Sequence, residues 1–214
     1  MKPAISVLLV DDHAVVREGY RRLLERARDL HIVGEAATAA EAVRIYAQTA
    51  PDVVVMDISL PDVSGIEALR RLLARAPEAR VLMFSIHDES IFPRHAFAAG
   101  ALGYVTKASA PDVLVDAVRV VALGRRYLSH DIAHSLALQD MGGERGIATL
   151  STREFEIARL LALGHPVREI AEKLCLSFKT VANHQWAIRQ KLGADNAAQF
   201  LRIASRDGLI ANSN

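Results

Sequence analysis

Over the first 126 residues, short apolar runs alternate with longer stretches in which apolar residues recur every third or fourth position. The runs fall at 5–10, 31–36, 53–56, 81–84 and 103–106. The uninterrupted run at 53–56, bounded by Pro51-Asp52 and Pro61-Asp62, predicts a strand buried on both faces of a parallel sheet, and the other runs read as its neighbouring strands. The stretches between them predict helices. Segment 14–30 gathers Val15, Val16, Tyr20, Leu23, Leu24 and Ala27 on one face, and 39–50 is stopped by Pro51. Segment 65–76 turns Ile66, Leu69, Leu72 and Leu73 inward and Arg70, Arg71 and Arg75 outward. Segments 92–99 and 111–123 end at Gly100 and Gly124.

Repeated strand–helix units of this length predict an α/β flavodoxin-like (βα)5 fold with a parallel sheet in the order 2-1-3-4-5. One consequence bears on function. Asp11 and Asp12, Asp57, Ser85 and Lys107 all stand at carboxyl ends of strands, so the topology brings them to one edge of the sheet. Ligands of open α/β sheets bind at that edge.

The pattern then changes. Segment 125–138, carrying Tyr127, Leu128, Ile132, Ala133, Leu136 and Leu138, predicts a connecting helix. Residues 139–146 include Gly142, Gly143 and Gly146 without apolar periodicity, which predicts a flexible tether. Leu150-Ser151-Thr152-Arg153-Glu154-Phe155 is a complete helix start: Ser151 caps, Glu154 closes a capping box, and Leu150 staples to Phe155. That helix runs to about Gly164. A second begins at Pro166, with Ile170, Ala171 and Leu174 inward, and a third runs from the cap Ser177 to Leu192. Two short helices so closely joined predict a separate all-α helix-turn-helix domain. Asp195 or Asn196 can cap a last helix bearing Ala198, Leu201 and Ile203. The expected domains are therefore 1–126, a linker over 127–148, and 149–214.

Periodicity also assigns the faces of the third helix. Val181, His184, Ile188 and Leu192 form its core stripe, while Lys179, Asn183, Trp186 and Gln190 point the other way, with Ala182 on the flank. An outward row of donors suits a DNA major groove, where side chains read base edges. For Lys179 the plain alternative is a solvated lysine, and for Trp186 it is packing on the last helix.

Charge sharpens the division. The chain of 214 residues has a net charge of +1, with 16 basic against 16 acidic residues in 1–126, 1 against 3 in 127–148, and 9 against 6 in 149–214. The basic excess lies in the helical third, which is suggestive of a nucleic-acid partner. A lone cysteine, Cys175, excludes an internal disulfide framework and, in its Leu-Cys-Leu setting, is expected in the core. The chain shows neither a signal peptide nor a membrane-spanning apolar stretch, so a cytoplasmic location is expected.

Three convergent carboxylates repel one another unless a cation joins them. Mg²⁺ prefers oxygen ligands and retains waters that a phosphate can displace. Lys107 offers a compact charge to a phosphoryl oxygen, and the Ser85 hydroxyl can donate to another. Such a site suits attack by the Asp57 carboxylate on phosphorus, giving an aspartyl phosphate. A salt-bridged rim is the plain alternative. A mononucleotide site is disfavoured, because Asp-Asp-His-Ala-Val-Val and not a glycine loop follows the first strand.

Val10-Asp11-Asp12-His13, the stretch from Asp57 through Pro61 to Gly65, Ser85 and Gly103-Tyr104-Val105-Thr106-Lys107 resemble the receiver domain of bacterial two-component response regulators. The resemblance implies that Asp57 is phosphorylated by a sensor histidine kinase. It implies that Asp12, Asp57 and the Ser59 carbonyl hold Mg²⁺, and that Asp11 places a metal-bound water. Ser85 and Tyr104 would form a switch pair, although Tyr104 also reads as an ordinary half-buried strand aromatic. Leu150-Ser151-x-Arg153-Glu154, Glu169-Ile170-Ala171, Leu176-Ser177-x-Lys179-Thr180-Val181, His184 and Ile188-x-x-Lys191-Leu192-Gly193 resemble the LuxR-type output domain. That resemblance implies contact with double-stranded DNA through Lys179, Thr180, Ala182, Asn183, Trp186 and Gln190, and a homodimer when phosphorylated. Ala182 stands where many members carry Lys or Arg, and Pro166-Val167 replaces a polar pair. The expected function is a phosphorylation-controlled transcriptional regulator, not an enzyme. A phosphatase of the haloacid-dehalogenase type would need a second Asp where this chain has Ser59.

Overall fold

In the computed structural model, residues 4–140 and 146–210 are described. The chain divides into two compact units, Met1–Asp88 with Ala96–Ser135, and Glu89–His95 with Leu136–Asn214. The first is built on a parallel sheet of β1 (Ile5–Val10), β2 (Leu30–Ala36), β3 (Val53–Met56), β4 (Val81–Ser85), β5 (Gly103–Thr106) and β6 (Tyr127–Leu128). The strand order is β2-β1-β3-β4-β5-β6, the expected flavodoxin-like order with a sixth strand added. Every residue of β3 is buried: β1 and β4 pair with its two edges, and the helices of a parallel α/β sheet cover both faces. Alternate positions such as Val7, Leu9, Val53, Val55, Leu82 and Phe84 share one core with Leu114, Ala117, Val118 and Val121 of α5 (Pro111–Ala122).

The sixth strand corrects the expectation of one helix over 125–138. Tyr127 and Leu128 pair in parallel with Gly103 and Tyr104, and α6 (His130–Asp140) begins only afterwards. Gly124, with φ of +70°, reverses the chain after α5. The open edge of β5 then supplies partners for backbone groups that would otherwise lack them.

Helices α1 (Ala14–Glu25), α2 (Ala39–Thr49), α3 (Gly65–Arg75) and α4 (Ile91–Ala98) occupy the expected positions. Two details differ. Helix α1 stops at Glu25 because Leu30 already opens β2. Val15, expected inward, is 87% exposed; burial on α1 is concentrated in its later turns, at Leu24 with Tyr20 and Leu23. Side-chain caps set the starts of α2 and α3: Thr38 accepts from the Glu41 amide and Ser64 from the Glu67 amide, both at 3.2 Å. A Cβ on Gly65 would lie 1.9 Å from the Asp57 carbonyl oxygen, so glycine alone lets α3 start so close to the end of β3.

In the second unit a 3-10 turn (Gly146–Thr149) precedes α7 (Thr152–Ala162), α8 (Val167–Lys173), α9 (Phe178–Leu192) and α10 (Ala197–Arg206). Residues 141–145, the middle of the expected tether, lie outside the described residues. The expected capping box is present, with Ser151 Oγ accepting from the Glu154 amide at 3.3 Å and Glu154 Oε2 accepting from the Ser151 amide at 2.8 Å. Leu150 and Phe155, the staple pair, are both buried. Ser177 caps α9, and of the two candidates for α10 it is Asn196 whose side chain accepts from the Gln199 amide, at 2.9 Å. Within α9, Val181 and Ile188 are buried while His184 and Leu192 are half-buried. Cys175 departs from expectation: it is exposed, with φ of +53°, because the α8–α9 turn needs a left-handed residue and Leu174 takes the core position.

Among the described residues, no helix is long and apolar enough to cross a membrane.

Candidate functional site

Parallel pairing aligns the strand ends. The Asp57 amide donates to the Val10 carbonyl at 2.8 Å, and the Lys107 amide donates to the Ser85 carbonyl at 2.7 Å. Asp57 is 4% exposed, directly after the buried Met56. From the end of β5, Lys107 Nζ donates to Asp11 Oδ2 at 2.6 Å and to Asp57 Oδ2 at 2.8 Å. Residues 11, 57 and 107 therefore meet. Burial works against the Lys107 ammonium, yet the hydrogen bonds and charges of Asp11 and Asp57 outweigh it and raise its pKa.

The other carboxylate oxygen decides what the site lacks. Asp57 Oδ1 is buried and, among the described residues, has no hydrogen-bond partner. A buried carboxylate oxygen left without a donor is costly, and a donor or cation arriving from outside relieves that cost. Asp11 Oδ1 accepts from the His13 amide at 2.8 Å, and Arg17 donates to the Asp11 carbonyl and, at 2.9 Å, to Glu35 Oε2, which steadies the end of β1. Ligand atoms of Asp11, Asp12 and His13 lie within 4.8 Å of one another, with His13 Nδ1 at 2.7 Å from Asp12 Oδ1. Asp57 joins this group through Lys107. The oxygen donors and the unpartnered Asp57 oxygen fit a hard divalent cation such as Mg²⁺.

Ser85 closes β4, fully buried, and its hydroxyl accepts from the His87 amide at 3.3 Å. Tyr104 is fully buried, not half-buried, and its hydroxyl donates to the His87 carbonyl at 2.7 Å. The Ser59 hydroxyl lies 3.4 Å from His87 Nε2. His13 and His87 thus join the site although sequence reasoning gave neither a role in it. The sole local signal was the position of His13 beside the aspartate pair, and His87 is brought in by the β4–α4 connection.

The second candidate surface is on α9. Lys179, Asn183, Trp186 and Gln190 are exposed, as the periodicity predicts, and Trp186 at 68% exposure is not packed on α10. Ala182 and Thr180 are half-buried, and the Thr180 hydroxyl is 2.7 Å from the capping Ser177 Oγ. Phe178, 61% exposed, adds an apolar residue that the sequence reading did not select.

Residues 7–119 match the family model of the response regulator receiver domain, and residues 148–204 match that of the luxR family of bacterial regulatory proteins. The chain belongs to the LuxR-family response regulators. This regulator is 39% identical over 208 residues to response regulator UvrY of Escherichia coli K12, covering 96% of this chain and 95% of that protein. It is 38% identical over 209 residues to response regulator GacA of Pseudomonas aeruginosa, covering 96% and 98%. Among solved structures, RcsB of Salmonella enterica bound to a promoter with the phosphomimetic BeF3- matches with a TM-score of 0.78 at 26% identity, covering 94% of this chain and 98% of that one. A LuxR-family regulator from Aurantimonas matches at 49% identity and a TM-score of 0.63, covering 64% of this chain and 99% of that one. The response regulator thus combines a receiver domain with a DNA-binding output domain, and its role is transcriptional regulation and not turnover of a substrate.

Proposed function

We propose that Asp57 is the phosphoacceptor and that a sensor histidine kinase supplies the phosphoryl group. The supporting observation is Lys107 bridging Asp11 and Asp57 beside an unpartnered Asp57 oxygen. In this reading an Asp57 oxygen attacks the phosphorus of a phosphohistidine, the P–N bond breaks, and the imidazole leaves with the electron pair. Lys107 releases its contact with Asp57 to a phosphoryl oxygen and orients it. Asp12, Asp57 and the Ser59 carbonyl would hold Mg²⁺, and Asp11 would place a water bound to it. Mg²⁺, when bound, neutralises charge on the transferring group. Ser85 and Tyr104 form the switch pair in this reading: the Ser85 hydroxyl turns to the phosphoryl group and the Tyr104 ring, buried with its hydroxyl on the His87 carbonyl, turns into the space that the Ser85 hydroxyl leaves.

The domains in this reading are a receiver over 1–126, a linker over 127–148 and an output domain over 149–214. The output domain meets double-stranded DNA through Lys179, Thr180, Ala182, Asn183, Trp186 and Gln190, as a homodimer when phosphorylated, in the cytoplasm. Thr180 acts through the α9 cap as well. Asp57→Asn should abolish hydroxylamine-labile labelling by a phosphodonor in the presence of Mg²⁺. Persistent labelling would show that the acceptor lies elsewhere.

A further inference from the structure

The outward face of α9 carries more than hydrogen-bonding groups. Trp186 is 68% exposed and Phe178 61% exposed, with the half-buried Ala182 midway between them. Positions four apart advance about 40° around a helix, so the three form a slowly winding apolar ridge. Beside it run Lys179, Asn183 and Gln190, all exposed. From residue 179 to 190 the helix rises about 16 Å, close to the length of five base pairs at 3.4 Å each. Packing within its own domain does not account for an indole in water on that face.

In a major groove, base edges offer hydrogen-bond donors and acceptors, and one apolar feature, the C5-methyl of thymine. An indole has a single donor and no acceptor, so its ring face has no polar edge to read. The interleaved Lys, Asn and Gln, and the basic excess of 9 against 6 in residues 149–214, favour a nucleic-acid occupant over an apolar protein groove. We propose that Trp186 is a specificity-determining residue that reads thymine: its ring lies against a C5-methyl in the major groove, so the half-site requires T at that step, while Asn183 pairs with a neighbouring adenine through N6 and N7. This rests on α9 being the DNA-contacting helix.

The test uses the full-length phosphorylated protein. Duplexes selected from random DNA are remade with each thymine replaced singly by deoxyuridine, which removes the methyl and leaves the pairing intact. Wild-type affinity should fall about fourfold at one or two positions in each half-site, as expected for losing one buried carbon. Trp186→Ala should bind the T and U duplexes equally at those positions. If Trp186→Ala binds no duplex, Trp186→Phe serves instead, with a smaller T-over-U preference expected. Methyl-insensitive wild-type binding at every thymine, or unchanged methyl sensitivity in the variant, overturns the thymine reading. A wild-type protein that selects no sequence overturns the assignment of α9 itself, which is a different failure.

Discussion

Lys107 is held by two carboxylates that would otherwise face each other across a buried gap. Lys107→Ala leaves like charges close together without a cation, at a cost of about 3 kcal/mol. The loss should appear as a lower Tm in chelator and shrink when Mg²⁺ is added. A Tm unchanged in chelator would mean that the lysine does not stabilise the cluster. Glu154 shows the same physics in the output domain. Burial disfavours its charge, but Lys191 at 2.7 Å and the Ser151 amide and hydroxyl hold its pKa below the usual 4.5. The ionised carboxylate therefore contributes stability that is present above pH 4.5 and lost as pH falls through the lowered folded-state value. Urea melts between about pH 3 and 6 should show this slope, and Glu154→Gln should flatten it.

At the scale of elements, the start of α7 was fully legible, since a capping box and a staple are spacings within six residues. Ser151→Ala should cost about 1 kcal/mol in the stability of the output domain, measured by chemical denaturation. Strand β6 was not legible. Two residues carry no periodicity, and their strand state comes from an open edge of β5 supplied by residues far away in sequence. Asp131, in the first turn of α6, accepts from the Thr106 hydroxyl at 2.9 Å, which ties the start of that helix to the residue before Lys107. Asp131→Ala should therefore speed hydrogen exchange at the Tyr127 and Leu128 amides, and unaltered exchange would show that the edge pairing alone holds them.

For the whole molecule, a receiver domain is joined to a DNA-binding output domain. Lys179→Ala should weaken all sequences alike and lower the slope of log affinity against log salt by about one, whereas Asn183→Ala should relax base preference. Equal effects of both variants on every sequence would mean that neither side chain reads a base.

The order of the five main strands, the places of their helices, and the meeting of residues 11, 57 and 107 at one edge were determined by the sequence. Apolar periodicity is local, and a parallel sheet puts all its carboxyl strand ends on the same side. Which Asp57 oxygen receives Lys107 and which stays without a partner was decided only by the tertiary structure. So were the full burial of Tyr104, the exposure of Val15 and Cys175, and the entry of His13 and His87 into the site. Each of these depends on what a distant segment places against a given face, and no spacing within a single element carries that information.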